Sequence, residues 1–150
     1  MREILFRGKT DKGEWVRGVP FFEEDRCYII EDLFICDEYN CTGAVNLTVI
    51  PDTVGQCTGL NDKNDNKIFE GDIIKFGISQ RLMYVHWNEE TLTWELTDVG
   101  VSACEVNHLI NTFELGEIQV ESAYGEIFSE IVGNIHDNPE LLKGGEWYDR

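Results

Sequence analysis

Hydrophobic and polar residues alternate along much of the chain, which indicates strands that bury one face. The clearest alternation spans residues 81–96, where apolar residues recur on either side of a polar turn: Met83, Val85, Trp87, Leu92, Trp94 and Leu96. Successive side chains of a strand point to opposite faces, so a period of two belongs to strands. The pattern predicts an antiparallel hairpin with Trp87 and Trp94 facing one core, and it places His86 on the solvent side.

Turn-forming residues divide the stretch Val54–Phe76 into three predicted strands. Asn61–Asn66 gathers asparagine and aspartate, which favour a hairpin loop. At the second turn, Gly71 can adopt the positive φ of a sharp corner, and Asp72 can accept hydrogen bonds from backbone amides. This corner resembles the turn that opens a strand in small SH3-like barrels. Together with two residues near the C-terminus, the residues assigned to structural turns are Gly55, Gly59, Glu70, Gly71, Asp72, Asn138 and Pro139.

The rest of the chain is also rich in β-branched and aromatic runs separated by turn residues. The further predicted strands are Glu3–Gly8, Trp15–Phe22, Cys27–Ile30, Leu33–Ile35, Ala44–Ile50 and Phe128–Ile135. Cys36–Gly43 is polar and small and predicts an irregular loop. Two segments favour short helices: Cys104–Phe113, with apolar residues spaced by three and four, and His136–Leu142, with a polar cap and Pro139 in its first turn.

These elements predict a mainly β protein. We expect a single domain over residues 1–150, with an N-terminal β-hairpin region at 1–48 and a small SH3-like, barrel-like antiparallel sheet at 49–143. One or two short helices and a loose tail at 144–150 complete the prediction. Most aromatic residues should lie in the core, but Phe21 and Phe22 are adjacent in a predicted strand and must point to opposite faces. One of them is therefore expected to be exposed or to lie in a subunit contact.

The net charge of −17 is the most unusual bulk property, and it is concentrated in the second half of the chain. Between Leu82 and Leu142 there are 12 aspartates and glutamates and no lysine or arginine. Such a surface repels phosphate, so direct nucleic-acid binding through it is not expected. A basic protein partner or a cation stays open, and so does a purely solubilising role.

Nothing in the composition predicts a membrane or secreted protein. No apolar run approaches the roughly 20 residues of a membrane helix, and the apolar run before Arg7 near the N-terminus is only three residues long. The five cysteines are an odd number without a secretory signal, which fits reduced thiols. We therefore expect a cytoplasmic protein without disulfides.

No segment carries a complete signature of catalysis or ligand binding. Asp62–Asn66 begins like a calcium loop, but Lys67 stands where that loop needs glycine and Ile73 where it needs glutamate. The cysteines form no C-x-x-C pair, the three histidines match no hydrolytic signature, and no glycine-rich phosphate loop occurs. Glu70 and Asp72 could serve as an acid–base pair, but a turn role is favoured. We assign no catalytic residue, no cofactor and no metal.

Three blocks of the chain resemble the YopX proteins of bacteriophages and of integrated elements in bacteria. The blocks are Ile4–Lys9 with Gly13–Val16, Val54–Leu60 through Glu70–Ile74, and Val132–Ile135 through Asn138–Leu142. The family is more often aromatic at Cys57, usually has a turn glycine at Asp65 and usually has tyrosine at His136. Aspartate tolerates the left-handed region less readily than glycine, so the departure at Asp65 leaves the turn type there open.

The resemblance implies a protein of phage or prophage origin in the bacterial host cytosol, from a family without an established molecular function. We expect a non-enzymatic accessory protein that acts through protein contacts, as a homo-oligomer. An alternative is an acidic decoy that occupies a basic, nucleic-acid-binding protein of the host by imitating the charge of nucleic acid. More generally, a basic host or phage protein stays open as a partner. A third possibility is an enzyme with an unrecognised site.

Overall fold

The computed structural model describes residues 4–35, 42–76, 81–99, 112–114 and 129–143. In these ranges the protein is mainly β, as the sequence predicted. Its strands are β1 (Phe6–Lys9), β2 (Trp15–Glu23), β3 (Arg26–Ile35), β4 (Thr42–Val49), β5 (Gly55–Asn61), β6 (Lys67–Phe69), β7 (Asp72–Phe76), β8 (Arg81–Asn88), β9 (Thr93–Asp98), β10 (Thr112–Glu114) and β11 (Ser129–Asn134). Short 3₁₀ turns occupy Pro51–Thr53 and Pro139–Lys143.

The chain divides into two compact units, Met1–Gly59 and Leu60–Arg150. In unit 1 the strand order is β4-β3-β2-β1-β5, and β5 continues past Gly59 into unit 2, where β6 pairs with it. Unit 2 contains a five-stranded sheet of order β10-β9-β8-β7-β11. The pairings whose register is resolved are antiparallel in both units. The antiparallel class predicted from alternation is therefore confirmed.

The core of unit 1 lies on one face of the paired strands β3 and β4. Its buried residues are Val16, Cys27, Ile29 and Val49, with Phe6, Leu47 and Val54 packed against them. Cys27 lies opposite Val49 and Ile29 opposite Leu47, so alternate positions of the two strands point to this core. A register shift between Ile30 and Asp32 marks a bulge in β3, while β4 remains regular.

The core of unit 2 is built around the hairpin of β8 and β9. Its buried residues are Ile68, Ile74, Met83, Val85 and Leu96, with Leu60, Trp94 and Ile131 packed against them. The predicted hairpin is confirmed, and Val85 pairs with Leu96 and Trp87 with Trp94. The expectation that both tryptophans face the core is only half met. Trp94 packs against the core, but Trp87 remains 39% exposed and meets Trp94 edge-on at 5.1 Å.

Several predicted boundaries change because strand pairing extends further than local composition suggests. Cys27–Ile30 and Leu33–Ile35 form one strand, and Thr42 and Gly43 of the predicted loop belong to β4. The helix predicted to end at Phe113 is wrong at its last two residues, which belong to β10. There Phe113 pairs with Leu96, and edge pairing with β9 gives the backbone its partners. Residues 104–111 of that helix and the tail at 144–150 lie outside the described residues.

The predicted helix at His136–Leu142 appears as the 3₁₀ turn Pro139–Lys143, so proline does open a helical turn there. Within the described ranges, no helix has the length and apolar character that crossing a bilayer requires.

Candidate functional site

The predicted corner at Glu70–Asp72 is a structural joint between three strands of unit 2. Gly71 adopts φ +83°, as expected, and the buried Asp72 carboxylate accepts a hydrogen bond from the Phe69 amide at 2.8 Å. The Gly71 amide donates to the Val85 carbonyl at 2.9 Å, and the Gly71 carbonyl accepts from the Ile135 amide at 2.9 Å. The backbone of this one residue therefore ties the start of β7 to β8 and to the end of β11.

Replacing Gly71 by alanine should lower the free energy of unfolding by about 1 kcal/mol or more, because a β-carbon is disfavoured at positive φ. The added carbon would also lie 3.3 Å from Cγ1 of Ile135, which leaves little room. Urea unfolding followed by the fluorescence of the tryptophans in unit 2 measures the change. An unfolding midpoint equal to that of the wild type would contradict the assigned role.

The other predicted turn residues are divided between separate places. Gly59 has φ +86° within β5, whereas Gly55 opens β5 in a buried position opposite Arg7. Asn138 precedes the turn that starts at Pro139, and its side-chain oxygen accepts from the Asn134 amide at 3.3 Å. The turn after β11 meets the Gly71 corner through the hydrogen bond from Ile135. Of the predicted turn residues, the structure thus brings together the corner at Glu70–Asp72 and the turn at Asn138–Pro139. Gly55 and Gly59 lie apart from them in β5.

The hairpin loop Asn61–Asn66 is organised by the carboxylate of Asp62, which is 2% exposed. Its Oδ1 accepts from the amides of Asn64 and Asn66, both at 2.9 Å. Its Oδ2 accepts from Nδ2 of Asn66 at 3.3 Å and from the amide of Ile131 at 3.1 Å. Asp65 takes φ +64° in this loop, so aspartate does occupy the left-handed position where the family usually has glycine. The calcium interpretation loses its leading ligand, because both oxygens of Asp62 already accept hydrogen bonds.

The Asp62 loop also fastens β11. Besides the bond from Ile131 to Asp62, the Lys63 amide donates to the Ser129 carbonyl at 2.9 Å, and Lys63 Nζ lies 2.6 Å from Glu130 Oε2. Sequence reasoning missed this role of Asp62, although an aspartate followed by two asparagines within four residues is a signal for side-chain-to-backbone bonding in a turn.

Acid should weaken this attachment. Burial raises the pKa of Asp62, but the hydrogen bonds from Asn66, Ile131 and Asn64 outweigh that effect and hold the pKa below its ordinary value of 3.8. A carboxyl group with a lowered pKa in the folded state contributes stability above its unfolded pKa, and this stability is lost as pH falls through the folded pKa.

We therefore expect the thermal midpoint of unit 2 to decrease as the pH drops below about 4. In an Asp62→Asn variant, this decrease should be less steep. Circular dichroism melts across the acidic range measure both slopes. Parallel slopes for the two proteins would show that Asp62 does not carry the acid sensitivity.

The surroundings of His86 and Cys27 are structural. His86 is half-buried rather than fully solvent-facing, and its Nε2 lies 2.7 Å from Oγ1 of the buried Thr97. Burial raises the pKa of the Cys27 thiol, which disfavours the reactive thiolate. Among the described residues, no group of three or more His, Cys, Asp or Glu side chains is placed to hold a metal ion.

Unit 1 presents a different kind of surface, an apolar face on β2 and β3. It consists of the cross-strand pairs Val19 with Ile30 and Phe21 with Tyr28, and it adjoins a groove lined by Phe21, Glu23, Tyr28, Ile30 and Asn46. Val19 is 58% exposed and Phe21 54%, and on the opposite face Phe22 is 59% exposed. The prediction that one of the paired phenylalanines is exposed is confirmed for both. Exposed aromatic side chains grouped in this way are a common feature of contact surfaces.

Comparison with known proteins gives a family and a similar solved structure. A family model described as YopX protein matches residues 5–143. No curated protein matches the chain. A crystal structure of a protein from Enterococcus faecalis is similar, with a TM-score of 0.55 and 24% sequence identity, covering 95% of this chain and 99% of that chain. At this identity the likeness concerns the fold alone.

Proposed function

The chain belongs to the YopX family, and on that premise we propose that it is a phage- or prophage-encoded accessory protein that acts through protein contacts as a homo-oligomer, in the cytosol of the bacterial host. The observation that carries the proposal is the exposure of Val19, Phe21 and Phe22 on unit 1, each more than half accessible. Large apolar side chains grouped on one strand are costly in water unless a partner covers them.

A non-enzymatic role is supported by the way the polar groups of unit 2 are used. Asp62 and Asp72, the buried carboxylates of the two predicted turns, accept hydrogen bonds from backbone amides. Carboxylates engaged in this way hold strands together and are poorly placed for proton transfer to a substrate. Their burial serves stability rather than acid–base chemistry.

A second copy of the chain is the partner that the charges favour. In a symmetric pair the same patch of each copy faces itself, so two acidic patches would repel one another. The net charge is −17, which leaves uncharged surfaces as the places where two copies can approach closely. The apolar face of unit 1 is such a surface.

Sedimentation equilibrium tests this proposal. At micromolar concentration the mass should exceed that of one chain, and it should fall towards 17.2 kDa on dilution. The association should persist at high salt, because it depends on apolar and backbone contacts that salt does not screen. A mass of one chain at every concentration would overturn the proposed self-association.

The acidic decoy is the second candidate, and the charge distribution favours it. The segment from Leu82 to Leu142 contains 12 carboxylates and no lysine or arginine. One of these carboxylates, that of Glu130, is compensated by an ion pair with Lys63 of the N-terminal half. If most of them repel one another, the thermal midpoint should rise between about 20 mM and about 500 mM sodium chloride, because salt screens repulsion over about 10 Å at 0.1 M.

Capture of a basic bacterial protein separates the two functions. A decoy should lose its partner steeply with salt and on replacement of four glutamates by glutamine: Glu117, Glu121, Glu126 and Glu130. For a homo-oligomeric accessory protein, these substitutions should leave self-association intact and only reduce the rise of the thermal midpoint with salt. Equal thermal midpoints at the two salt concentrations would remove the physical basis of the decoy.

A further inference from the structure

The outer edge of β4 has the features of a strand that pairs with another chain. β4 is the first strand in the order β4-β3-β2-β1-β5, and its pairing is with β3. Along its other side, no described residue pairs with it. An edge strand presents unpaired N–H and C=O groups, which form a template for a further strand.

The amino-acid sequence of β4 lacks the devices that normally protect such an edge. No charged residue occurs from Tyr39 to Pro51, although 27% of the chain is charged. The strand itself reads TGAVNLTV, without proline, and the bulge beside it lies in β3. Charged side chains, proline and edge bulges are the usual means by which proteins prevent strand addition. The edge of β4 is therefore long, regular and uncharged.

The other edge strands of the described ranges are protected. β10 and β6 are only three residues long, and they contain Glu114 and Lys67 respectively. β11 contains Glu130, and its register shifts between Ile131 and Gly133. Short length, charge and bulges thus occur at these edges and are missing at β4. This contrast within one chain singles out β4 as an edge open to pairing.

We propose that two copies of the chain associate through β4, each β4 pairing antiparallel with the β4 of the other copy about a twofold axis. This inference rests on the self-association proposed above and assigns its surface. Antiparallel pairing of a strand with itself satisfies twofold symmetry, because each residue then meets its counterpart across the axis.

The absence of charge on β4 favours a second copy as the occupant. Residues near the middle of β4, such as Val45 and Asn46, lie opposite one another in such a pair, so any charged residue there would face the same charge. Val45 is 42% exposed and Asn46 is also exposed. In an acidic protein, an uncharged strand can face its own copy without this repulsion. The groove beside Asn46 and the apolar faces of both copies would then lie on one continuous sheet.

Two exposed apolar side chains provide a matched test by sedimentation equilibrium. Val45→Glu places like charges across the twofold axis and should lower self-association at least tenfold. Leu92 is 69% exposed in the turn between β8 and β9 of unit 2. Leu92→Glu therefore adds the same charge away from β4 and should leave association within about twofold of the wild type. An associating wild type with no loss of association in Val45→Glu would overturn the β4 pairing while leaving self-association in place. A monomeric wild type would instead remove the proposed function itself.

Hydrogen exchange on the wild-type protein makes the test independent of how the variants fold. Amides of Thr42–Val49 should become more protected as protein concentration rises, because pairing supplies acceptors to the outward N–H groups. Amides of the interior strand β2 should show no such dependence. If the protein associates and the exchange of β4 does not change with concentration, the contact lies elsewhere and the inference fails.

Discussion

Gly18→Ala should lower the stability of unit 1 by roughly 3 kcal/mol, at the upper end of the cost of forcing extra atoms into a packed site. Gly18 lies in β2 opposite Phe6 of β1, and the next residue, Val19, pairs with Ile30 of β3. A β-carbon at Gly18 would collide with the carbonyl oxygen of Ile30 and lie 2.7 Å from its carbonyl carbon. Both atoms belong to the backbone of a paired strand, so β2 and β3 would have to separate locally.

Gly13 provides the control for this prediction. It has φ +86°, and a β-carbon there meets only the flexible side chain of Lys9, at 3.8 Å. Gly13→Ala should therefore cost about 1 kcal/mol, from the backbone conformation alone. Urea unfolding monitored through unit 1, for example by the fluorescence of Trp15 with the other tryptophans replaced by phenylalanine, measures both changes. Equal losses for the two variants would show that β2 tolerates a side chain at Gly18.

Asp62→Ala should destabilise unit 2 by about 3 kcal/mol, since leaving a buried donor without its acceptor costs about 1–3 kcal/mol. The substitution removes the acceptor of three backbone amides, those of Asn64, Asn66 and Ile131. Asp62→Asn should cost less, because its side-chain oxygen can still accept from the two loop amides. Its NH₂ group would then face the Ile131 amide, so the remaining loss of stability should come from a weaker attachment of β11.

Chemical denaturation and hydrogen exchange together check this prediction. In Asp62→Asn the amides of β11 should exchange faster while those of the hairpin β8–β9 keep their protection. Asp65→Asn is the control, since Asp65 is exposed and asparagine also tolerates positive φ. If Asp62→Ala unfolds at the same denaturant concentration as Asp65→Asn, the carboxylate does not hold the loop.

The features that were predicted correctly depend on residues close together in the sequence. The hairpin of β8 and β9 and the corner at Gly71 follow from alternation and turn chemistry, which act over a few residues. The features that escaped prediction depend on distant strands. The close approach of Ile30 to Gly18 arises from the β2–β3 register, and the Ile131 amide reaches Asp62 across 69 positions.

Two errors have the same physical origin. Thr112 and Phe113 lie in β10 because the edge of β9 offers backbone partners, and tertiary pairing overrides a local helical spacing. Trp87 has the alternation of a core residue but lies towards the end of the hairpin, where little remains to cover it, and it stays 39% exposed. Periodicity identifies the residues that lie on the same face of a strand. The length of the neighbouring strands decides whether each of these residues is buried.

The attachment of β11 to the Asp62 loop has a consequence for the order in which the chain folds on the ribosome. Unit 1 ends at Gly59, so all of its strands are available early in synthesis. In unit 2, β7 pairs on one side with β8 and on the other with β11, which ends at Asn134. Until β11 emerges, one edge of β7 has no partner strand and the Asp62 carboxylate lacks the Ile131 amide. At about 5–20 residues per second, this interval lasts several seconds, during which the sheet of unit 2 lacks its last strand.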